Sequence, residues 1–311
     1  MYFPYLRGRL FELIAIRELI ENSLMSRNVM PVIEPVKLSA ALIKTLTFFQ
    51  QSDRELGLVR NPQVGSMNKD LADEKFKKEK ERLYELLTTS NVITFLYADA
   101  NLSKNLSNVG RKGINKRDVA TICITQDAIP HFESAYDSDS PRFNFILDES
   151  AFRRRMPRQR VMFEDRFSKK NRNVDYLDKQ DELFSSDHLY YRQEGYLGFS
   201  DFSVVGDEYS ETGFAPYAVA IHIVYFADDG IMRVRHFVSD TNDDITDPAG
   251  KFAEALEKLV KWNQSQKLDT FALKTFEDMY KNRSYPGLGT VKKLSIMHHL
   301  ELISRFLDGV E

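Results

Sequence analysis

Short apolar segments alternate with longer segments of helical periodicity along most of the chain, and this alternation constrains the fold more than any other feature. The apolar segments recur at roughly 20–30 residues, the spacing of βαβ units with a parallel sheet. They are continuous rather than alternating, which indicates strands covered on both faces. Eight such units favour a closed, TIM-like (β/α)8 barrel over an open sheet. The predicted strands are residues 2–6, 29–34, 56–60, 92–97, 119–124, 143–147, 161–164 and 196–205.

Residues 217–239 interrupt the alternation and are typical of a β-hairpin. Two strand-like segments flank Asp228-Asp229-Gly230, which suits a three-residue loop with glycine in the left-handed conformation. The hairpin either supplies the eighth barrel strand or decorates the rim. Helical segments follow at 251–262, 270–280 and 291–307. We expect a barrel domain over 1–265 that includes the hairpin, and a helical extension over 266–311 packed on the barrel.

Composition narrows the class of protein. A chain of 311 residues with 42% hydrophobic and 29% charged residues is typical of a globular fold. The net charge of −3 gives no overall attraction to nucleic acid or to an anionic membrane. The single cysteine, Cys123, cannot form an internal disulfide, and its apolar segment indicates a buried, inert thiol rather than a nucleophile. With no secretory signal and no long apolar stretch, we expect a cytoplasmic protein.

Polar side chains follow the predicted strands at the end where barrels keep their sites. Carboxylates and arginines in such a ring suit a metal-dependent phosphoesterase or nuclease, with oxygen ligands on Mg²⁺ or Mn²⁺ and an arginine on phosphate. The same residues also cap helices and form ion pairs between loops, so both alternatives stay open. The candidate site residues are Arg7, Glu34, Arg60, Asp148, Glu164, Asp165 and Asp201, and the candidate metal ligands are Glu34, Asp99, Asp148, Asp165 and Asp201.

Two histidines offer a weaker candidate metal site. If the hairpin loop is 228–230, His222 lies opposite His236 on an apolar face. Two adjacent imidazoles bind a metal, exchange a proton or form a hydrogen-bonded structural pair. By contrast, His298 and His299 are adjacent in a predicted helix, so they point about 100° apart and do not share one ion.

Three other segments have more than one interpretation. The polar segment 165–195 is either an active-site lid or a solvated connection. The stretch 285–294 contains two glycines and two lysines at a helix start, which fits either a phosphate site or a simple turn with an N-cap. The basic cluster is either a nucleic-acid contact or a solvated helical face. It comprises Arg153, Arg154 and Arg155, with Arg158 and Arg160.

Familiar catalytic motifs do not occur. The sequence contains no dinucleotide-binding Gly-x-Gly-x-x-Gly after an early strand, no Gly-x-Ser-x-Gly, no His-Glu-x-x-His and no Cys-x-x-Cys. Dinucleotide binding, acyl transfer and zinc hydrolysis therefore have no support from motifs, and whether the protein is an enzyme stays open.

Several short stretches resemble the Beta protein family of bacteria and phages. These are the opening Tyr2-Phe-Pro-Tyr-Leu-Arg-Gly-Arg with Phe11-Glu12, then Pro31-Val-Ile-Glu-Pro35, and Gly198-Phe-Ser-Asp-Phe202. The resemblance extends over about residues 1–260 and implies a barrel-like α/β domain. Members of the similar subgroup are encoded beside a nuclease-like partner on mobile or defence-associated loci. The resemblance therefore implies a subunit or sensor of a bacterial two-protein, antiphage module, and it carries over Arg7, Glu12, Glu34 and Asp201.

Overall fold

The computed structural model describes residues 1–137, 139–211 and 216–310. Within them the strands are, in chain order, β1 (Tyr5–Leu6), β2 (Val32–Ile33), β3 (Leu56–Val59), β4 (Val92–Tyr97), β5 (Ala120–Cys123), β6 (Asn144–Ile146), β7 (Arg160–Phe163), β8 (Asp181–Ser185), β9 (Gly198–Ser200), β10 (Ala220–Phe226) and β11 (Met232–Val238). The helices are α1 (Leu10–Glu21), α2 (Ala40–Gln51), α3 (Met67–Ala72), α4 (Lys77–Leu86), α5 (Leu102–Gly110), α6 (Ala128–Tyr136), α7 (Ser150–Arg155), α8 (Asp187–Tyr190), α9 (Pro248–Gln266), α10 (Phe271–Asn282) and α11 (Leu288–Asp308). Short 3₁₀ turns cover Glu74–Phe76, Lys116–Asp118 and Asn173–Leu177.

Eight parallel strands form the barrel that the sequence predicts. Their order is β1-β2-β3-β4-β5-β6-β7-β9, so each strand lies beside the next one in the chain except that β8 is skipped. A parallel bridge between Tyr2 and Phe199 joins the last strand to the first, and the Phe3 amide donates to the Phe199 carbonyl at 2.9 Å. The barrel is therefore closed by a strand within the predicted segment 196–205 and not by the hairpin.

Helices occupy the connections between successive barrel strands, as a (β/α)8 fold requires. Ser39 caps the N-terminus of α2, since its hydroxyl accepts from the Leu42 amide at 3.2 Å. No helix formed by the described residues is long and apolar enough to cross a bilayer.

Aromatic side chains fill the barrel interior. The Phe145 ring is fully buried and lies 5.3, 5.1 and 5.7 Å from the rings of Phe3, Phe95 and Phe163. Edge-to-face contacts of this kind add to the burial of apolar area. The interior is therefore a packed core, and polar groups around Glu34 lie at one end of it.

The hairpin belongs to a second, antiparallel sheet of order β10-β11-β8. Its loop is the predicted one, since the Ala227 amide donates to the Ile231 carbonyl at 2.9 Å and Gly230 has a φ of +78°. Strand β8 lies in the segment that the sequence assigned to a lid or a solvated connection, and Phe184 and Ser185 in it are buried. Helices α9 and α11 pack against β10.

The chain divides into two compact units whose segments alternate in sequence. The first comprises 1–13, 27–164 and 187–202, and the second comprises 14–26, 165–186 and 203–311. This division differs from the expected boundary at 265, because the hairpin pairs with β8 and packs on the C-terminal helices instead of extending the barrel.

Candidate functional site

Glu34 is the centre of the polar layer at the C-terminal end of the barrel strands. Its side chain is fully buried directly after β2. One carboxylate oxygen accepts from the hydroxyls of Tyr5 at 3.0 Å and Tyr97 at 3.4 Å, and the other accepts from the Gln63 amide at 2.6 Å. The Tyr5 and Tyr97 hydroxyls are themselves 2.9 Å apart. Four polar groups of the barrel are thereby held in one network.

Arg7 completes this network by forming an ion pair with Glu34. Its guanidinium carbon lies 5.1 Å from the centre of the Phe202 ring, a distance suited to a cation–π contact. The Arg7 side chain is only 11% exposed. Burial raises the pKa of Tyr5 well above its usual value, and the Tyr97 hydroxyl and the Glu34 charge raise it further, so Tyr5 stays a hydrogen-bond donor.

Asp201 lies apart from Glu34, although both follow barrel strands. Phe202 packs in the barrel interior, so the neighbouring Asp201 faces the other side of the wall. There its carboxylate accepts from the Tyr2 hydroxyl at 2.7 Å, and the Tyr2 ring stacks on Phe199. These two carboxylates do not share a pocket.

The remaining strand-end carboxylates are also engaged locally. Asp99 accepts from the Asn101 amide, Asp148 pairs with Arg153 and accepts from Tyr196 at 2.6 Å, and Glu164 accepts from the Asp148 amide. Asp165 accepts from the Phe167 and Asp207 amides, and burial raises its pKa to about 6 despite those two bonds. Arg60 is mostly buried, which lowers its pKa.

Across the described ranges, no three His, Cys, Asp or Glu side chains converge on a point where a metal ion would bind. The metal-dependent phosphoesterase or nuclease required these carboxylates to meet, and no observation favours it.

The basic cluster of α7 is largely neutralised. Arg153 pairs with Asp148, and Arg155 pairs with Glu133. Arg154 is exposed, and Arg160 lies 4.9 Å from the Tyr196 ring while donating to the Glu194 and Gly195 carbonyls. Of Arg153, Arg154 and Arg155, only Arg154 is exposed without an ion pair to another described residue, so these arginines do not form a continuous positive surface.

The cysteine, Glu12 and the adjacent histidines of the last helix are all buried. Cys123 is fully buried, and burial raises the pKa of its thiol to about 12, so an unreactive thiol is the interpretation that the structure favours. Buried Glu12 accepts from the Arg9 amide at 3.0 Å. His298 bonds to Thr270 and to the Val224 carbonyl, whereas His299 bonds to Ser203, so the two adjacent imidazoles have different partners.

The second unit contains a cavity of about 240 Å³ that the sequence did not predict as a site. It lies between the histidine-bearing face of β10, the turn Asn173–Leu177 and the first two turns of α11. Apolar walls come from Phe167, Val204 and Val291. Its polar lining is Lys169, Lys170, Asn173, His222, Lys292 and Ser295.

The charged side chains that line this cavity are lysines. Three lysines line it, and no acidic side chain belongs to its wall in the part of the chain that the structure describes. Lys169 reaches the Glu208 carboxylate at 3.4 Å, whereas Lys170 has no carboxylate partner among the described residues. A concave site with apolar walls strengthens the field of such charges.

His222 lies opposite His236, as the hairpin register predicts. Their Nδ1 atoms are 2.8 Å apart, and the Nε2 atom of His236 lies 3.3 Å from a Glu182 oxygen. The Tyr176 ring covers both imidazoles at 4.6 and 4.5 Å. Burial lowers the pKa of His222 well below its usual 6.5, and the nearby His236 and Lys292 lower it further. Burial also lowers the pKa of His236, although Glu182 opposes this effect.

The sequence held only partial signals for this cavity. The glycine- and lysine-containing stretch 285–294 indicated anion affinity at the start of α11, and Lys292 lies in it. The hairpin register placed the histidines together. Nothing in the sequence connected these groups with Lys170 or Tyr176, because both lie in the segment whose fold was not predicted.

No protein-family model matches the chain, and no curated protein or solved structure matches it. The resemblance to the Beta protein family therefore stays a prediction.

Proposed function

We propose that the protein is a sensor subunit of a bacterial two-protein module, and that the lysine-lined cavity of the second unit binds the small anion that it senses. The cavity supports this function because its charged lining residues are all lysines, whereas Arg7, Tyr5 and Glu34 at the barrel mouth are engaged with one another. Its volume of about 240 Å³ lies below the ~300–1,000 Å³ typical of pockets for drug-sized ligands. The ligand class is therefore a small anion.

The single observation that carries the proposal is the set of three lysines around one cavity without an acidic neighbour in its wall. An anion in the cavity is attracted by the positive charges of the lysines in its wall. The apolar wall residues exclude water and strengthen the attraction.

Charge reversal at Lys170 is expected to weaken anion binding at least ten-fold. The substitution Lys170→Glu places a carboxylate in the cavity wall without breaking an ion pair among the described residues, and Lys292→Glu places one there from α11. Isothermal titration with inorganic phosphate measures the effect. The matched control is Lys281→Glu, which reverses an exposed lysine of α10 in the same unit, outside this cavity. Equal losses in the lysine variants and the control, or no binding to the wild-type protein, would contradict the proposal.

The partner follows from the resemblance alone. A nuclease-like protein encoded beside this chain is the proposed second subunit, and the module is proposed to be antiphage. Co-expression of the two gene products followed by size-exclusion chromatography tests this, since a stable complex buries at least about 1,000 Å². Separate elution with and without phosphate would reject the partner.

A further inference from the structure

Three side chains of the second unit form a hydrogen-bonded row that ends at the cavity. His222 lines the cavity and is hydrogen-bonded to His236. His236 in turn is hydrogen-bonded to Glu182 of β8, which is 3% exposed. No group of the described residues forms a hydrogen bond with the Nε2 atom of His222. This atom is therefore available to a ligand.

The protons in this row have one consistent arrangement. A carboxylate only accepts, so the Nε2 atom of His236 carries the proton and donates to Glu182. Neutral His236 then has a bare Nδ1 atom, which accepts from the Nδ1–H of His222. Burial lowers the pKa of both histidines and so favours the neutral forms. His222, with its proton on Nδ1, consequently presents a bare Nε2 lone pair.

We infer that the cavity recognises hydrogenphosphate, an oxyanion that brings its own proton, and discriminates against anions of the same charge that have none. The lysines attract the negative oxygens, while the bare Nε2 atom of His222 accepts from the P–O–H group. This inference rests on the proposed anion-binding function and adds the identity of the ligand. The cavity would therefore bind inorganic phosphate in preference to sulfate and to fully ionised phosphate esters.

Sulfate is the informative comparison because it matches hydrogenphosphate in charge and shape at pH 8 but carries no proton. Bound sulfate would place an oxygen lone pair against the lone pair of His222, unless His222 takes up a proton. A buried acceptor without a donor costs about 1–3 kcal/mol, which corresponds to roughly 5- to 150-fold in affinity. We expect the dissociation constant of sulfate to exceed that of phosphate at least ten-fold at pH 8.

The groups that face the histidine row set the direction of the pH dependence. Protonated His222 would meet the positive charge of Lys292. Lys170 disfavours the charged form of His236, whereas Glu182 and Asp181 favour it, and the Tyr176 ring covers both imidazoles. Because the row is neutral near pH 8, each sulfate bound requires one proton from solution. Sulfate affinity is therefore expected to rise about ten-fold for each unit that the pH falls, until His222 titrates. Phosphate affinity between pH 7.5 and 8.5 is expected to change less than three-fold.

The experiment compares inorganic phosphate, sulfate and methyl phosphate by isothermal titration of the full chain between pH 6 and 8.5. Titrations in two buffers of different ionisation enthalpy count the protons taken up. At pH 8 we expect phosphate to bind without proton uptake, and sulfate and methyl phosphate to bind at least ten-fold more weakly, with uptake of about one proton.

Glu182→Gln tests the proton row itself. The amide introduced at position 182 can donate to the Nε2 atom of His236, so that His236 carries its proton on Nδ1 and donates to the Nδ1 atom of His222. His222 then carries its proton on Nε2 and presents an N–H donor to the cavity. The preference for phosphate over sulfate should then fall below about three-fold, and His222→Gln, whose amide also donates, should act in the same direction. Equal wild-type affinities for phosphate and sulfate at pH 8 would overturn the inference and leave anion sensing intact. Failure of all three anions to bind would overturn both.

Discussion

Replacing Glu34 with alanine is expected to lower the free energy of unfolding of the barrel by about 3–5 kcal/mol. The substitution removes the acceptor of the Arg7 ion pair and of the Tyr5 and Gln63 hydrogen bonds. Arg7 would be left as a buried charge without this counterion, and that is costlier than losing the pair to solvent. Glu34→Gln keeps one acceptor oxygen and should lose less.

Urea unfolding followed by circular dichroism measures this loss. The single tryptophan, Trp262, lies in α9 of the second unit, so its fluorescence follows that unit separately. The control is Glu133→Ala, which breaks the exposed ion pair with Arg155 and should cost less than about 1 kcal/mol. If Glu34→Ala and Glu133→Ala gave the same circular-dichroism midpoint, the buried network would not stabilise the barrel as described.

Gly198→Ala is expected to destabilise the barrel by about 3 kcal/mol, near the upper end of the range for overpacking. A Cβ atom at this position would lie 2.5 Å from the Met1 carbonyl oxygen and 2.6 Å from the Phe3 ring. The Met1 oxygen accepts from the Phe199 amide across the junction of β9 and β1. Relieving the clash therefore weakens the contact that closes the ring of strands.

Gly110→Ala is the matched control for this substitution. Gly110 ends α5, and a Cβ atom added there meets nothing within 4 Å. Alanine in a helix is more favourable than glycine by up to about 1 kcal/mol, so this variant should be neutral or stabilised. Equal stability of Gly198→Ala and the wild-type protein in thermal and urea unfolding would mean that the junction tolerates a wider separation.

The barrel was predictable because its signal is local and repeated. Each continuous apolar segment reports a strand covered on both faces, and the count of such segments determines closure. β8 was missed because its sequence, Asp181-Glu-Leu-Phe-Ser185, mixes charged and apolar residues in an edge strand. Its pairing with β11 joins residues about 50 apart, which no periodicity reveals.

The candidate sites were predictable to different degrees. The position rule for barrels located Arg7 and Glu34 correctly in one polar layer, yet it also selected Asp201, which faces the other side of the wall. Strand-end position does not determine the direction of a side chain once the strand stops. The histidine pair followed from hairpin register, whereas the lysines around it come from three separate segments and only tertiary structure joins them.

The alternation of the two units along the chain restricts how the protein is made and divided. Six segments alternate between the units, so the backbone passes from one to the other five times. A ribosome completes β9 before it has produced β10 and β11, so β8 waits for its partner strand while the barrel strands are already complete. A polypeptide stopped after residue 202 would contain every barrel strand together with an unpaired β8, and exposed strand edges of this kind lead to aggregation. Neither unit is a fragment that one proteolytic cut can release.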